Sequence, residues 1–226
     1  MLFKNSGAQR NAIAGEAELY QESFTASHIL SQQFAQIGYR QIDKTLAPGR
    51  VMPLETKDAA FPEVANEWLT GQVIKGTADS LAFRFQGASR DDLSADETIY
   101  DCSGDPVPAG IIREAQLSFQ NNQLHCTTAG RTNILVGIND TIDIERVLFE
   151  LGVDDNGDGA IDRRILTSTS TDTDFINTRQ ITARLLLAST DQSAGTTQTF
   201  RFNNQEETPT DRKLRLETEI TVMLRN

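Results

Sequence analysis

An acidic segment at residues 154–162 offers the clearest set of side chains that could bind a metal ion. It reads Asp154-Asp155-Asn156-Gly157-Asp158-Gly159-Ala160-Ile161-Asp162, and it fits the D-x-N-x-D-G pattern that opens calcium-binding loops. Calcium prefers oxygen ligands spaced in this way, with a glycine at the sharp bend. The five candidate ligands are Asp154, Asn156, Asp158, the main-chain carbonyl of Ala160 and Asp162.

The same segment departs from an EF-hand at its end. Position 12 of the loop is Ile165, where an EF-hand carries a bidentate glutamate, and β-like segments replace the flanking helices. Two interpretations therefore fit the pattern. One is a weak calcium site that staples a β-hairpin, and the other is a plain Asn-Gly turn with solvated carboxylates. Calcium is the one cofactor that the sequence suggests.

The two cysteines predict a disulfide bond. Cys102 and Cys126 each lie in a short β-like segment, and turn-forming residues such as Pro106 and Gly110 lie between them. No CxxC motif is present, and nothing else marks either thiol as a nucleophile. A bond between them would close a loop of about 25 residues and would stabilise the fold by roughly 3 kcal/mol. Such a bond indicates an oxidising compartment.

Enzyme motifs are missing from the sequence. The chain has two histidines, His28 and His125, and it has no phosphate-binding P-loop, no GxGxxG and no GxSxG. Paired acids such as Asp91-Asp92 and Glu206-Glu207 lie in polar, turn-like segments. The sequence therefore predicts a protein without catalytic activity.

Composition and charge narrow the choice of partners. The formal net charge is −11 and the pI is about 4.7, with no basic cluster, which argues against nucleic acids and anionic lipid surfaces as partners. Apolar residues make up 38% of the chain, enough for a real core. No run approaches the roughly 18 consecutive apolar residues of a membrane span.

A long helix must organise the chain. From about Gln9 to Thr45 there is no proline, and apolar residues recur at steps of three and four. This pattern predicts one helix of roughly 50 Å with one apolar face, ended by Ala47-Pro48-Gly49. Its C-terminal half would pack on a sheet. Its N-terminal half would leave the domain as a stem whose stripe binds partner helices. The stripe residues are Ile13, Ala17, Tyr20 and Phe24.

The rest of the chain predicts antiparallel strands. Apolar and polar residues alternate in several short segments, for example Leu81–Phe85 and Leu214–Leu224, with turn residues between them. We therefore predict an α+β fold in which a long N-terminal amphipathic helix packs on an antiparallel β-sheet. Residues 1–48 would form the helical stem, and residues 49–226 the β-rich head.

Taken in this order, the parts resemble the type IV pilin-like proteins, and in particular the PilW family of minor pilins. The resemblance rests on a long helix ending in Ile37-Gly38-Tyr39, a Tyr100–Gly104 segment answered by Leu124-His125-Cys126, the acidic hairpin, and an alternating last strand that ends in Leu224-Arg225-Asn226. It spans nearly the whole chain. The family's N-terminal signature, a glycine cleavage site followed by an apolar span, is not in the sequence given, and we expect it upstream of Met1.

The resemblance implies a structural protein of a bacterial surface fibre. A minor pilin of this kind sits in the inner membrane facing the periplasm, anchored by the apolar N-terminal segment, and then passes to the extracellular pilus tip. It helps to start pilus assembly, and through its N-terminal helix it contacts other minor pilins and the major pilin. The isolated head is expected to be a monomer.

Two other functions are compatible with the same parts. A minor pseudopilin of a type II secretion system shares the helix-on-sheet build and often carries a calcium loop. A secreted calcium-dependent adhesin or binding module is the third alternative. The reading frame upstream of Met1 separates the pilin classes from the adhesin, because the former carry a prepilin signature and the latter an ordinary signal peptide.

Overall fold

A computed structural model describes residues 2–40, 57–88, 98–138, 141–192, 194 and 196–224. The predicted helix stop at Ala47-Pro48-Gly49 lies outside these residues. The helices are α1 (Leu2–Ala35), α2 (Lys57–Ala60) and α3 (Asp172–Ile176), with a 3₁₀ turn at Thr167–Thr169. The strands are β1 (Ile74–Gly76), β2 (Ser80–Gln86), β3 (Ile112–Gln120), β4 (Gln123–Thr128), β5 (Arg131–Val136), β6 (Ile142–Val153), β7 (Arg163–Leu166), β8 (Thr178–Ser189), β9 (Phe200–Phe202), β10 (Gln205–Glu207) and β11 (Arg215–Met223).

The described strands form two main antiparallel sheets instead of the single sheet that the sequence predicted. The first is a five-stranded meander in the order β1-β2-β3-β4-β5, and the second has four strands in the order β11-β8-β6-β7. Strands β9 and β10 form a separate hairpin. The α+β class with antiparallel pairing is confirmed. The division into a stem of residues 1–48 and a head of residues 49–226 stays a prediction.

Helix α1 lies against strands from both sheets. It contacts β5 of the first sheet and β6, β8 and β11 of the second. Its buried apolar residues join those of both sheets in one core. The helix therefore closes a core to which both sheets contribute. The helix residues in this core are Leu19, Ala26, Leu30 and Phe34, with Ile37 just beyond the helix.

The helix ends earlier than predicted. Its last residue is Ala35, followed by a tighter turn in which the N–H groups of Gln36 and Ile37 bond to the carbonyls three residues back. Gly38 then takes a positive φ of 71°, which glycine adopts without strain. The Gly38 N–H donates to the Arg84 carbonyl of β2 at 3.0 Å. The predicted end near Thr45 is wrong, because bonding to β2 replaces the next helical turn.

Strand β2 is buried on both faces. Leu81, Phe83 and Phe85 point into the core as their alternation predicts, but Arg84 on the other face is also only 2% exposed. The guanidinium of Arg84 lies 4.5 Å from the Trp68 ring centroid and donates to the main-chain carbonyl of Pro62 at 3.0 Å. Alternation of apolar and polar residues indicates a strand with one buried and one exposed face, and for β2 this expectation is wrong. A cation can be buried in this place because backbone oxygens and an aromatic face replace its water.

The cysteines are joined, as predicted. Cys102 and Cys126 form a disulfide with their Cα atoms 6.2 Å apart. Cys126 lies on β4 with no exposed surface, and the bond ties it to the loop that carries Ile99 and Val107 into the same core. The side chain of Asn133 on β5 donates to Ser103 Oγ of that loop at 3.0 Å. The loop thus adds a layer of core between the sheet and solvent.

Candidate functional site

Helix α1 has two distinct apolar faces, where the sequence predicted one. One face is buried in the head and includes Leu19, Ala26 and Leu30. The other carries the predicted stripe, and at about 100° per residue it lies roughly 130° around the helix axis from the first. The periodicity fits both faces, because steps of three and four residues connect positions within either one. The two faces differ only in their contacts, because the head covers one of them and leaves the other exposed.

The buried face is fixed by polar contacts as well as packing. Glu22 is 7% exposed, and its Oε1 accepts a hydrogen bond from the Gly137 N–H at the end of β5, at 2.9 Å. Ser23 Oγ lies 2.8 Å from Thr218 Oγ1 on β11. These two bonds join the helix to both sheets. Because a buried polar group is costly when its partner is lost, they also fix how the helix is rotated, and with it which face reaches solvent.

The stripe is exposed along the N-terminal half of the helix. Ile13 is 68% exposed, Tyr20 65% and Phe24 76%, and Ala17 between them is also exposed. Large apolar side chains that align on one surface in this way mark interaction sites more often than isolated ones do. The structure therefore brings together all four residues that the sequence nominated for partner binding. Whether they bind a partner stays a prediction.

The acidic loop joins β6 to β7 as a closed hairpin. Asp154 has no exposed side-chain surface. Its Oδ1 accepts from the Gly157 N–H at 2.7 Å and its Oδ2 from the Gly159 N–H at 3.0 Å. Both glycines have positive φ, 79° and 89°. The carboxylate that would be the first calcium ligand thus already organises the turn.

The other candidate ligands also bond within the loop. Asn156 Oδ1 accepts from the Asp158 N–H at 2.9 Å, and Asp158 Oδ1 accepts from the Ala160 N–H at 2.8 Å. Asp162 Oδ2 accepts from the Asp155 N–H at 2.8 Å. Among the residues that the structure describes, no three His, Cys, Asp or Glu side chains converge in a group that could hold a metal. Calcium binding stays a prediction.

Two arginines that the sequence analysis missed offset the charge of this loop. Arg179 Nε on β8 donates to Asp154 Oδ2 at 3.1 Å, and Arg163 Nε donates to Asp155 Oδ2 at 2.8 Å. Arg163 also donates to Asp174 at the start of α3. Arg179 is 25 residues from Asp154 along the chain, so only the pairing of β6 with β8 could have revealed it.

These contacts move the pKa values of the acids. Burial raises the pKa of Asp154, but the Gly159 and Gly157 N–H groups and then Arg179 outweigh it, so that the pKa lies below its ordinary value of 3.8. The pKa of Asp174 is lowered in the same way, since burial is outweighed by bonds from Thr171 and Arg163. Both carboxylates therefore stay ionised at neutral pH, with partners from the protein itself.

The two histidines lie on different elements. His28 is exposed on α1, and His125 lies partly buried on β4 next to the disulfide cysteine. Within the described part of the chain, no helix is both long enough and apolar enough to cross a membrane.

Comparison with known proteins gives a match in fold. No family model matches the chain, and no curated protein does either. A solved structure, the type IV-like pilin TTHA1219 from Thermus thermophilus, aligns with a TM-score of 0.52 at 12% identity, covering 91% of this chain and 95% of its own. At that identity the match shows the fold alone. The chain has a pilin-like fold.

Proposed function

We propose that the chain is a minor pilin of the PilW type, a non-enzymatic structural subunit that helps to start type IV pilus assembly and forms part of the tip complex. The observation that carries the proposal is the stripe of Ile13, Ala17, Tyr20 and Phe24, exposed on a helix whose other face is fixed in a pilin-like head. An exposed apolar face of a helix suits docking against an apolar surface of a partner, and in a pilus that partner would be the helix of another pilin.

The partners in this proposal are the helices of other minor pilins and of the major pilin. An acidic head without a basic patch has no affinity for nucleic acid to compete with such contacts. The disulfide between Cys102 and Cys126 fits assembly in the periplasm, where thiols are oxidised. The subunit would face the periplasm from the inner membrane and then occupy the extracellular tip.

A crosslinking experiment in the source organism tests the proposal. A photoreactive amino acid is placed at Phe24 in the stripe, and in a second strain at Glu18, which is exposed on the opposite flank of the helix. We expect crosslinks to pilin subunits from position 24 and few or none from position 18. Equal crosslinking from both positions, or crosslinks to no pilin at all, would contradict the proposal.

Deletion of the gene separates the pilus from the secretion system. A minor pilin is needed for surface fibres, so a deletion strain should lose sheared pili while it still exports its secreted enzymes. If the chain is a pseudopilin, the deletion strain should keep its sheared pili and lose the export of its secreted enzymes. Complementation with the wild-type gene and with Phe24→Asp then shows whether the stripe is needed.

A further inference from the structure

Asn156 and Gly157 lie side by side in the loop between β6 and β7, and both are exposed. No other asparagine of the chain precedes a glycine. Glycine has no side chain that would hinder an approach to its backbone nitrogen, and at Gly157, where φ is 79°, open space lies where a side chain would begin. The pair is therefore sterically suited to a reaction between the asparagine side chain and the backbone nitrogen that follows it.

The reaction that this pair allows is deamidation. The backbone nitrogen of Gly157 loses its proton to a base in the solvent and forms a bond to Cγ of Asn156. The bond from Cγ to the side-chain nitrogen breaks, and ammonia leaves with a proton from water. Hydrolysis of the resulting cyclic imide gives aspartate or isoaspartate at position 156. Water is the one co-reactant, and the rate depends on the ionisation of the nitrogen and on its access to Cγ.

A hydrogen bond to Asp154 holds the attacking nitrogen in its protonated form. The Gly157 N–H donates to Asp154 Oδ1 at 2.7 Å, and the Asp154 side chain has no exposed surface. Loss of the proton would place a negative nitrogen beside a carboxylate, and like charges at such a distance disfavour ionisation. A hydrogen bond to a carboxylate is also stronger than one between neutral groups. Asp154 therefore lowers the reactivity of the Gly157 nitrogen.

The side-chain amide that would be attacked is also restrained. Asn156 Oδ1 accepts from the Asp158 N–H at 2.9 Å, and Asn156 Nδ2 donates to Asp162 Oδ1 at 3.4 Å. Rotation of the amide toward the Gly157 nitrogen would break both contacts. The folded loop thus opposes the reaction at the nitrogen and at the carbon, although both groups are exposed to water.

We propose that Asn156 is a site of deamidation, and that Asp154 slows this modification in the folded chain by holding the Gly157 N–H. The modification adds a negative charge to residues 154–162, which already hold four aspartates. Isoaspartate also lengthens the backbone by one carbon, which displaces the Gly157 and Gly159 N–H groups from Asp154. The modified hairpin is therefore less stable. This inference is independent of the proposed role in a pilus.

Incubation of the purified chain at mildly alkaline pH tests the site. One sample stays folded and one is unfolded in urea, both with a chelator, and the tryptic peptide that follows Arg146 and ends at Arg163 is analysed by mass spectrometry and by an isoaspartate-specific methylation assay. We expect deamidation in urea, and a rate at least about tenfold lower in the folded chain, because a hydrogen bond to a charged group must first be lost. Asn156→Gln should remove the signal. Equal rates in the two states, or no modification at Asn156 in urea, overturn the proposal.

Two alanine variants test the part played by Asp154. Asp154→Ala should deamidate at least about fivefold faster than the folded wild type, because the acceptor of the Gly157 N–H is lost. Asp155→Ala is the matched control and should keep the wild-type rate, since that side chain pairs with Arg163. Equal rates in the two variants overturn the role of Asp154.

Hydrogen exchange of the wild type tests the same contact without a substitution, in case Asp154→Ala does not fold. The Gly157 amide proton should exchange at least about tenfold more slowly in the folded chain than in urea at the same pH, because exchange and deamidation both require the Gly157 N–H to leave Asp154. Exchange at the unfolded rate contradicts the proposal.

Discussion

Asp154 is a buried carboxylate that the protein stabilises with its own backbone and one arginine. Two glycine N–H groups and Arg179 supply its partners, and a carboxylate held in this way favours its ionised form. The repulsion that four acids in nine residues would create is therefore partly offset before any ion binds. This explains how the hairpin can close in the structure as it stands.

The lowered pKa of Asp154 predicts how stability depends on pH. Because the folded-state pKa lies below the ordinary 3.8, the stabilisation is fully present above about pH 4 and is lost as the pH falls through the folded value. Asp174 adds to the same loss, and so does Asp211, whose pKa the Arg215 guanidinium lowers to about 2. Urea unfolding of the wild type between about pH 7 and pH 2.5 should show constant stability that declines only below about pH 4.

Asp154→Asn isolates the contribution of that residue. The variant should be less stable than the wild type at neutral pH, because its amide nitrogen would face N–H donors. The difference should narrow as the pH falls below about 4. Two curves that stay parallel over the whole range would show that the Asp154 charge has no part in the acid sensitivity. The measurement is made in a chelator, so that calcium cannot contribute.

Calcium binding by the loop is tested by melting. We expect millimolar calcium to raise the melting temperature, because carboxylate, amide and carbonyl oxygens lie within one short turn. The site should be weak, with a Kd of roughly 10⁻⁴ to 10⁻³ M, since Ile165 replaces the bidentate glutamate. Two arginines already offset part of the charge, so the gain should be small.

Asp158→Asn is the sharper variant for this test, beside Asp158→Ala. Asparagine keeps an oxygen that can accept from the Ala160 N–H, and so the turn should persist while a charged ligand is lost. The response to calcium should then fall, with the melting temperature in chelator little changed. If the wild type melts at the same temperature in calcium and in chelator, the loop is only a turn.

At the scale of elements, the disulfide loop and helix α1 both shield the hydrophobic core from solvent. Cys126 is wholly buried on β4, and the bond to Cys102 holds a segment that brings Ile99 and Val107 into the core. The chain between the cysteines, with a sequence separation of 24, is long enough for the crosslink to restrict the unfolded state appreciably.

Removal of the bond should destabilise the fold. Cys126→Ser, or the double variant with Cys102→Ser, is expected to lower the free energy of unfolding by roughly 2–4 kcal/mol in urea titrations. Reduced wild-type protein is the control, and it should behave like the double variant. Titration of the unfolded, unreduced protein should find no free thiol, and two reactive thiols would refute the bond.

The sequence predicted the elements better than their arrangement. Alternation located β2 and β11, and the turn residues located the acidic hairpin, because both signals are local. The split into two sheets was not predictable, since it depends on pairing between distant segments. The helix end was missed for the same reason: the bond from Gly38 to Arg84 joins residues 46 positions apart in sequence.

For the candidate sites, too, local features could be predicted from the sequence and long-range contacts could not. The stripe was predicted because helical periodicity places Ile13, Ala17, Tyr20 and Phe24 on one face. The rotation of the helix was not, because Glu22 reads as a surface acid until Gly137 is seen to donate to it.

At the scale of the whole molecule, one helix serves the fold with one face and leaves the other free. Residues from Leu19 onward bury side chains in the head, while the stripe faces away from it. The exposed stripe contributes little to the stability of the monomer. Its apolar side chains are stabilising only when a partner removes them from water. Fold and assembly should therefore respond separately to substitutions on the two faces.

The last prediction separates these two roles with the same substitution at a buried core position just beyond α1 and at an exposed position of the stripe. Ile37 has no exposed surface, so Ile37→Asp should lower the free energy of unfolding by roughly 3 kcal/mol or more through an unpaired buried charge. Ile13 is 68% exposed, so Ile13→Asp should change stability by no more than about 0.5 kcal/mol. Urea unfolding of the purified chains gives both values.

When Ile13→Asp is introduced into the gene in the source organism, it should impair fibre assembly even though it leaves the stability of the purified chain nearly unchanged. Ile13→Asp should reach wild-type levels in the cell and yet reduce surface fibres, because a charge in the stripe would have to be buried against a partner helix. Ile13→Leu, which keeps the apolar surface, should restore them. Equal destabilisation by Asp at both positions would show that the head covers the whole helix, which would leave no free face for assembly.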